Sequence, residues 1–469
     1  MKRAIVVGGG ISGLATAWLL GERARQAGID LELLLMEKEQ RVGGKIWSIK
    51  ADGFLCEWGP NGFLDNKPQT LDLCRELGAD RLLLRSNDNA RKRFIYSGGT
   101  LHRLPENGPS FLKSRLISWP GKMRLAMEPF IPQYKGEEDE TLAAFGRRRL
   151  GDEALRKLIA PMVSGIFAGD PETMSLKSCF GRIAELESEY GGLIKAMIKL
   201  AKKKKQDIAE GKVVASAAGP GGVLTSFRNG IQDLTDIVAG KLGGESITLA
   251  EDVERVSAGK SVPFRVLSDR GELDADVVIM ATPAYATADI LQNLDAGISA
   301  VLREIPYATM TIACFGYERE KIARDLDGFG YLVAKDEGKS ILGTLWDSSI
   351  FENRAPQGHV LLRSMMGGAC FPQYLSLSDD EVQKRVETDL RAIMGITASP
   401  SFTRIFRHDK AIPQYTVGHG ARLASLEEKA AAHPGLFFTG NSYRGIGLND
   451  CVAAAIRTSD AAIAHLRER

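Results

Sequence analysis

The first forty residues alternate between apolar runs and short polar or glycine-rich stretches, and this pattern predicts a strand, a turn, a helix and a second strand. The run AIVV at residues 4–7 has the length of a buried strand, and the glycine-rich GGGISG that follows is typical of a turn. LATAWLL then favours a helix, and LELLLM at residues 31–36 reads as a further buried strand. This order is that of a βαβ unit at the start of an α/β fold.

The same stretch carries no charged residue from position 4 to position 21, as a signal peptide or membrane-spanning helix would. Glycine at positions 8, 9, 10 and 13 would weaken such a helix at its centre. The run ends in Glu22, Arg23 and Arg25 without a small-residue cleavage site. We therefore expect neither a signal peptide nor a membrane span here.

The glycine spacing Gly8-x-Gly10-x-x-Gly13 fits a dinucleotide-binding turn. Gly8 allows the tight turn, Gly10 lets the backbone approach a pyrophosphate, and Gly13 lets the helix pack closely on the strand. The second strand ends in Glu37, whose carboxylate can accept hydrogen bonds from a ribose and argues against a 2′-phosphate. The alternative is a βαβ unit with a chance acidic residue.

Composition narrows the class of protein further. The chain has 469 residues, with 44% hydrophobic and 26% charged residues, which is typical of a soluble globular protein of two or three domains. Lys plus Arg is 61 and Asp plus Glu is 59, so the net charge of +2 gives no footprint for nucleic acid. Six cysteines without a CxxC pair, and six histidines without metal-ligand spacing, predict reduced thiols in the cytosol and no metal site.

Residues 37–45, EKEQRVGGK, extend the turn in a way that a nicotinamide dehydrogenase does not need. The spacing of Glu37, Arg41, Gly43 and Gly44 resembles the extended fingerprint of the flavin amine oxidase and phytoene desaturase superfamily. The resemblance implies FAD, with the arginine and the paired glycines at the pyrophosphate. Amine oxidases of this type often attach flavin through a cysteine, but Cys451 lies beyond the C-terminal glycine turn, so we expect noncovalent FAD.

The resemblance also implies which residues bind FAD, including a backbone contact from Val253 to the adenine. The assigned residues are Gly8, Gly9, Gly10, Ile11, Ser12, Gly13, Glu37, Lys38, Arg41, Gly43, Gly44, Lys45, Gly59, Pro60, Asn61, Val253, Ala281, Thr282, Gly440, Asn441, Gly447, Leu448 and Asn449. A capped surface helix after residue 447 is the alternative for the last of these segments.

From the resemblance we expect an α/β protein with a discontinuous Rossmann-like FAD-binding domain, formed by residues 1–80, 215–290 and 400–469. Residues 85–210, rich in helical signals, are expected to form a helical insertion that contacts a membrane and contributes to the substrate site. Residues 290–400 alternate strand patterns with short helices and are expected to form an α+β substrate-binding domain.

Several local strings resemble the protoporphyrinogen oxidase family more closely than other members of the superfamily. They are EWGPNGFLD at 57–65, RKRF at 91–94, SGIFAGDP at 164–171, LGTLWDSSIFENRAP at 342–356, IPQYTVGH at 412–419 and GNSYRGIGLNDC at 440–451. The resemblance implies oxidation of protoporphyrinogen IX to protoporphyrin IX in haem biosynthesis. Six electrons would leave in three two-electron steps, as hydride to flavin N5, with oxygen as the final acceptor.

Three alternatives stay open: a coproporphyrinogen III oxidase, another amine oxidase or carotenoid desaturase, and a non-catalytic flavoprotein or lipid-binding protein that keeps the fold. Because the flavin carries the chemistry, no side chain is assigned as a catalytic acid or base.

The resemblance assigns Arg93 to a propionate of the substrate, Phe351 to a stack on a pyrrole ring and Leu332 to the opposite wall. Arg91 and Lys92 leave the propionate assignment open by one or two positions, and a Leu and a Phe in strands are also ordinary core residues. Gly165 and Gly169 would let the backbone approach the macrocycle, and Asn61 would orient the substrate through hydrogen bonds.

Residues 110–132, SFLKSRLISWPGKMRLAMEPFIP, interleave apolar side chains with Lys and Arg, a composition suited to a bilayer interface. The alternative is a helix pair packed on its own domain. We expect a protein of the cytoplasm or the cytoplasmic face of the cell membrane. The resemblance leaves open a homodimer and a handover of product to ferrochelatase.

Overall fold

The computed structural model describes residues 1–209, 222–260 and 262–468, so the predicted start of the middle FAD-binding segment at residue 215 lies outside the described residues. The strands are β1 (Lys2–Val7), β2 (Leu31–Glu37), β3 (Ser48–Ala51), β4 (Phe54–Glu57), β5 (Phe63–Leu64), β6 (Leu83–Arg85), β7 (Arg93–Ser97), β8 (Thr100–Arg103), β9 (Leu224–Phe227), β10 (Ile247–Leu249), β11 (Val253–Ala258), β12 (Phe264–Ser268), β13 (Gly271–Ala275), β14 (Val277–Met280), β15 (Tyr307–Glu318), β16 (Gly330–Val333), β17 (Ile341–Leu345), β18 (His359–Gly367), β19 (Phe402–Pro413) and β20 (Leu436–Phe438).

Helices pack on the sheets described below and form most of the segment from residue 108 to residue 209. They are α1 (Ile11–Gln26), α2 (Pro68–Glu76), α3 (Gly108–Lys113), α4 (Trp119–Ala126), α5 (Leu142–Arg149), α6 (Asp152–Ala154), α7 (Ala160–Phe167), α8 (Leu176–Tyr190), α9 (Leu193–Ala209), α10 (Gln232–Leu242), α11 (Ala284–Leu291), α12 (Ala296–Arg303), α13 (Asp347–Ile350), α14 (Asp379–Met394), α15 (His419–Ala430) and α16 (Leu448–Glu468).

A parallel sheet in the order β10-β2-β1-β14-β20 carries the first predicted site. Its strands come from three distant parts of the sequence, and the strands expected at residues 4–7 and 31–36 are both confirmed in it. The apolar residues of β1 at positions 4–7 are at most 3% exposed, because helices α1 and α16 cover one face and β11 to β13 with α11 cover the other. This is the α/β arrangement that the sequence predicts.

A mixed sheet in the order β19-β15-β18-β17-β16-β7-β8 lies beside it. One face packs on α14 through a cluster that includes Phe94, Tyr331 and Val386. Ile95, on the opposite face, packs against Leu116 and Ile117 of the helical segment.

The strand pairing departs from two of the predicted limits. β7 and β8 lie inside the segment 85–210 that was predicted to be helical, because the alternation of RFIYS buries Phe94 and Tyr96 against the α14 side when β7 pairs with β16. β19 lies inside the segment 400–469 predicted for the FAD-binding domain, yet it pairs with β15 of the mixed sheet. The limits of the domains themselves stay a prediction.

The helical segment is held together by a buried ion cluster. Glu128 accepts hydrogen bonds from the backbone N–H groups of Leu193 and Ile194, at 2.8 and 3.0 Å, and so caps the start of α9. Arg149 lies 3.5 Å from Glu128 and 3.1 Å from Glu187, and neither Arg149 nor Glu128 is exposed. The start of α9 is therefore fixed to the interior of the segment.

None of the helices within the described residues is long and apolar enough to cross a bilayer. Large apolar side chains of the helical segment are nevertheless exposed: Leu112, Trp119, Met123, Met127, Phe130, Met197 and Ile198. Leu116 and Ile117 of the same segment are buried, at 1% and 3% exposure, so only part of the predicted interface faces outward.

Candidate active site

The turn after β1 has the geometry that the glycine spacing predicts. Gly8 has φ of 106°, which only glycine adopts without strain, and its N–H donates to the carbonyl of Met36 at 2.8 Å. A Cβ on Gly13 would lie 1.9 Å from the Gly8 carbonyl oxygen, so the start of α1, with Ile11 and Ser12, packs directly on the turn. A Cβ on Gly10 would meet no atom of the described residues within 4 Å. The backbone at Gly10 therefore borders open space at a helix N-terminus, where an anion binds well.

Glu37 ends β2 directly beneath this turn. Its carboxylate is 7% exposed and accepts the Gly9 N–H at 2.6 Å and the Glu39 N–H at 3.0 Å. A carboxylate can accept about four hydrogen bonds, so capacity for a ribose remains. The Glu251 N–H donates to the Glu37 carbonyl at 3.0 Å, and this contact brings the start of β11, with the buried Val253, beside the carboxylate. The neighbouring Lys38 is exposed.

The loop after Glu37 folds onto the turn. The Gly43 N–H donates to the Gly9 carbonyl at 2.8 Å, and a Cβ on Gly44 would lie 3.2 Å from the Gly10 Cα. Arg41 donates to the carbonyls of Val42, Gly44 and Ile46 at 3.0, 2.7 and 3.2 Å. The guanidinium thus braces the loop that covers Gly10, and three of its N–H contacts are to that loop.

Lys45 connects this loop to the mixed sheet. Its ammonium donates to the carbonyls of Lys410 and Ala411 in β19, and burial lowers its pKa to about 8. A Cβ on Gly59 would lie 2.1 Å from the Lys45 carbonyl oxygen, so the segment of Gly59, Pro60 and Asn61 packs directly on this loop.

The far side of the turn is formed by the loop after β14. The Ala281 N–H donates to the Val7 carbonyl at 2.9 Å, and the Thr282 methyl lies 3.0 Å from the position of a Cβ on Gly8.

The segment before α16 closes the turn. Gly440 has φ of 120° and faces Ser12, and the Asn441 carbonyl accepts the Tyr415 hydroxyl at 2.6 Å. Leu448 begins α16, and the preceding Gly447 N–H donates to Asp450 at 3.3 Å. Asn449 donates to the Leu64 carbonyl at 2.8 Å, while its Oδ1 is buried without a hydrogen-bond partner among the described residues.

These observations fit a flavin dinucleotide. The open backbone at Gly10 and the Glu37 carboxylate offer an anion cradle and a ribose acceptor at one turn, and the Asn449 Oδ1 offers a further acceptor at the start of α16. When bound, FAD supplies an acceptor for pairs of electrons, and the chain holds and orients it. Within the described residues no cluster of His, Cys, Asp and Glu could hold a metal ion.

Three basic residues lead into β7, and the structure separates them by their partners. Arg91 lies 3.4 Å from Asp88, and Lys92 donates to Asp327 at 2.7 Å. Arg93 has no carboxylate partner in the described parts of the chain, its guanidinium lies 5.3 Å from the Phe329 ring centroid, and burial lowers its pKa. A half-buried cation without a counter-charge suits an anionic ligand, which favours Arg93 of the three.

Arg93 shares one face of the mixed sheet with Leu332. Arg93 pairs with Gly330 and Ile95 with Leu332, so the two side chains lie two positions apart on the same side. The Leu332 side chain lies over Gly165 of α7, because a Cβ on Gly165 would be 2.7 Å from Leu332 Cδ2. The structure thus brings Leu332 and Gly165 together between sheet and helices.

A cavity opens at this junction, beyond Leu332 along β16. Its walls include Ser164, Gly169, Ala334, Lys339, Leu342 and Phe371. A Cβ on Gly169 would lie 2.8 Å from Gln414 Oε1, so the close approach at this position depends on glycine. The walls of this cavity are mostly apolar, and its volume of about 40 Å³ is much smaller than that of a pocket for a tetrapyrrole.

Phe351 lies elsewhere, and its position does not support the predicted stack on a pyrrole. Its ring is 1% exposed and packs among Leu84, Ala90 and Ile350, with the Arg354 guanidinium 5.0 Å from the ring centroid. The ring is enclosed by its own neighbours because α13 turns it into the core after β17. This burial is what the alternative noted above, an ordinary core residue, requires, and the stack on a pyrrole stays a prediction.

Sequence reasoning did not single out several residues that the fold brings to the site. Met365 pairs with Gly343, which pairs with Leu332, so these three residues form one row on the same side of the sheet. The sequence of β18, HVLLRSMMG, does not alternate between apolar and polar residues, so no pattern in this strand indicates Met365.

Comparison with known proteins agrees with this geometry. The family model described as "Flavin containing amine oxidoreductase" matches residues 11–463. The chain is 31% identical over 460 residues to coproporphyrinogen III oxidase of Bacillus subtilis, covering 96% of each chain. It is 30% identical over 475 residues to chloroplastic protoporphyrinogen oxidase 1 of Spinacia oleracea, covering 97% of this chain and 83% of that protein.

A crystal structure from Exiguobacterium sp. 255-15, of a protein provisionally named protoporphyrinogen oxidase, superposes with a TM-score of 0.84 at 27% identity, covering 100% of this chain and 99% of that one. The amine oxidase structures, such as cyclohexylamine oxidase of Brevibacterium oxydans IH-35A with a TM-score of 0.68 at 18% identity over 100% of this chain and 99% of that one, share the fold alone. The chain therefore belongs to the flavin-containing amine oxidoreductases, with FAD as its cofactor, and within them to the porphyrinogen oxidases.

Proposed function

We propose that the protein oxidises protoporphyrinogen IX to protoporphyrin IX, with oxygen as the final acceptor. The observation that carries this proposal is Arg93, a half-buried cation without a carboxylate partner among the described residues, on the same sheet face as the apolar wall of Leu332. A porphyrinogen is an apolar ring with propionates at its edge and requires both features.

The overall reaction removes six hydrogens from the substrate as three pairs of electrons with their protons. Reduction of three molecules of oxygen to three of hydrogen peroxide takes up the six electrons and the six protons. The chain's own residues bind the ring and fix the position of its C–H bonds, because misplacement by about 1 Å can cost ~100-fold in rate. We assign no side chain as acid or base.

A specific observation favours a second substrate, coproporphyrinogen III. The relative from Bacillus subtilis, which is 31% identical with 96% of each chain covered, is a coproporphyrinogen III oxidase. Coproporphyrinogen III carries propionates on all four pyrroles, whereas protoporphyrinogen IX carries two on adjacent rings. The two substrates therefore differ in the number of carboxylates that the site must bind.

We propose that FAD is held noncovalently. Cys451 is buried at 6% exposure, and burial raises the pKa of its thiol to about 11, so the thiolate needed for covalent attachment is scarce at neutral pH. Acid or heat should release intact FAD from the purified protein.

We also propose peripheral contact with the cytoplasmic face of a membrane through the exposed apolar side chains of the helical segment. Trp119 and Met123 are 67% and 68% exposed, and the run of lysines at 202–205 in α9 adds positive charge. Apolar side chains flanked by lysine suit an anionic bilayer surface.

The test is to mix the anaerobic, FAD-loaded protein with each porphyrinogen and follow flavin bleaching, then to admit air and follow porphyrin fluorescence. Bleaching by a porphyrinogen, but not by an amine, is the expected result, and the ratio of kcat/KM values decides between the two substrates. A yellow protein that neither porphyrinogen bleaches would refute the proposal.

A further inference from the structure

Asn61 is joined to a buried ion pair that no step above has used. Its Nδ2 donates to Asp347 Oδ1 at 3.2 Å, and the other carboxylate oxygen of Asp347 lies 2.9 Å from Arg363 Nε. Asp347 is unexposed, Arg363 is 3% exposed and Asn61 8%. Arg363 also donates to the carbonyls of Glu57 and Gly59, at 3.1 and 3.0 Å, and so holds the strand that leads into Asn61.

This arrangement fixes which way the Asn61 amide points. A carboxylate paired with arginine only accepts hydrogen bonds, so it must receive the NH₂ side of the amide. The carbonyl Oδ1 of Asn61 is then turned away from Asp347. It is buried and has no hydrogen-bond partner among the described residues. A buried acceptor without a donor costs about 1–3 kcal/mol, which suggests that a ligand supplies the donor.

Asn61 lies where the two candidate binding regions meet. Its segment packs through Gly59 on the loop that covers the dinucleotide turn. Arg363 lies in β18 two residues from Met365, which shares a sheet row with Leu332. The free Oδ1 therefore lies between the FAD turn and the apolar wall.

We infer that Asp347 is a positioning residue, which orients the Asn61 amide so that Oδ1 accepts a hydrogen bond from an N–H of a bound ring. This inference rests on the proposed function. A porphyrinogen presents four pyrrole N–H donors, and the flavin ring also has an N–H edge. The shared chemistry is a ring N–H donor, and the experiment separates the two sources.

The test exchanges the two side chains. In Asp347→Asn, the new amide oxygen must face Arg363, so its NH₂ faces Asn61 and turns that amide around. Asn61→Asp alone sets two carboxylates against each other. The exchange variant, Asn61→Asp with Asp347→Asn, restores a hydrogen bond between the two residues in the reverse direction, with residue 347 as donor and residue 61 as acceptor. It keeps the same net charge and leaves one oxygen of residue 61 free.

We expect each single variant to lose about tenfold in kcat/KM, the effect of one hydrogen bond, and the exchange variant to return to within about threefold of wild type. Equilibrium binding of product porphyrin, titrated by its Soret absorbance, gives a readout separate from turnover. Loss of porphyrin binding with FAD retained identifies the pyrrole as donor, and weakened FAD binding identifies the flavin.

Glu57→Gln is the matched control. Glu57 is also unexposed and paired with an arginine, Arg354, at 3.3 Å, but its carboxylate binds Ser48 and Ile231 rather than Asn61. It should lower the melting temperature without the porphyrin-binding defect. If Asp347→Asn does not fold, Asp347→Glu keeps the charge and displaces the carboxylate by one methylene.

The inference is overturned if folded, FAD-loaded single variants keep wild-type kcat/KM, or if the exchange variant is as impaired as they are. Failure of the proposed function looks different, because the wild-type protein itself would then oxidise neither porphyrinogen.

Discussion

Replacing Arg93 by methionine removes a cation while keeping an apolar stem of similar length. The guanidinium has no carboxylate partner in the described chain and lies 5.3 Å from the Phe329 ring centroid. If it binds a propionate, the variant loses a charge-assisted hydrogen bond worth about 1.5–3 kcal/mol. At ~1.4 kcal/mol per decade, kcat/KM should fall by roughly 10- to 150-fold.

The melting temperature of Arg93→Met should stay close to that of the wild type or rise slightly. Burial lowers the pKa of Arg93, which means that the folded state holds this charge at a cost. Arg93→Met should therefore leave the melting temperature unchanged or slightly raised, with full FAD content. Lys92→Met is the matched control, because Lys92 is already paired with Asp327 at 2.7 Å and should keep its kcat/KM.

The assay is steady-state porphyrin fluorescence, with the substrate supplied as free acid and as methyl ester. The ester has no carboxylate, so wild type and Arg93→Met should oxidise it at similar rates. If Arg93→Met retains wild-type kcat/KM for the free acid, or loses as much with the ester, then Arg93 does not bind a propionate.

Four further outcomes are expected. Gly10→Val places a side chain where the backbone now borders open space, so the purified variant should lack FAD by absorbance; full occupancy would contradict the cradle. Glu37→Gln should weaken FAD binding about tenfold by titration, and unchanged affinity would mean that the carboxylate does not reach the ribose. Burial lowers the pKa of His419, so the folded state favours the neutral imidazole. The contribution of His419 to stability is therefore full above its unfolded pKa of about 6.5 and falls as the pH drops below that value. His419→Gln should flatten this decline in thermal melts, and an identical slope would exclude His419 as its cause. Trp119→Ser with Met123→Ser should reduce sedimentation with anionic vesicles, since both side chains are exposed, and unchanged sedimentation would place the contact elsewhere.

Features that depend on residues close together in the sequence could be predicted. Gly8, Gly10 and Gly13 lie within six consecutive residues and form one turn, so their spacing alone predicts the geometry that the structure shows. Glu37 follows a recognisable strand, and its place under the turn follows from the parallel pairing of β1 and β2.

Features that depend on partners distant in sequence could not be predicted. Arg91, Lys92 and Arg93 are alike in sequence. Asp88, the partner of Arg91, is three residues away, but the partner of Lys92, Asp327, is placed only by the tertiary structure, and this placement leaves Arg93 as the cation without a carboxylate among the described residues. Asn61 and Asp347 are 286 positions apart, so no window of sequence reveals their hydrogen bond. The sequence around Phe351 likewise does not show that its ring packs against Leu84 and Ala90, because these residues lie more than 250 positions away.

The order of strands in the parallel sheet has a consequence for how the chain matures on the ribosome. β1 near the start of the chain and β20 at residues 436–438 lie in one sheet, joined only through β14, and α16 packs on α1. Contacts of such long sequence separation form late, because the loops between them must close first. The dinucleotide turn therefore stays uncovered until nearly the whole polypeptide has been synthesised, and nascent chains stopped before residue 436 should expose the apolar β14 edge and need a chaperone rather than cofactor.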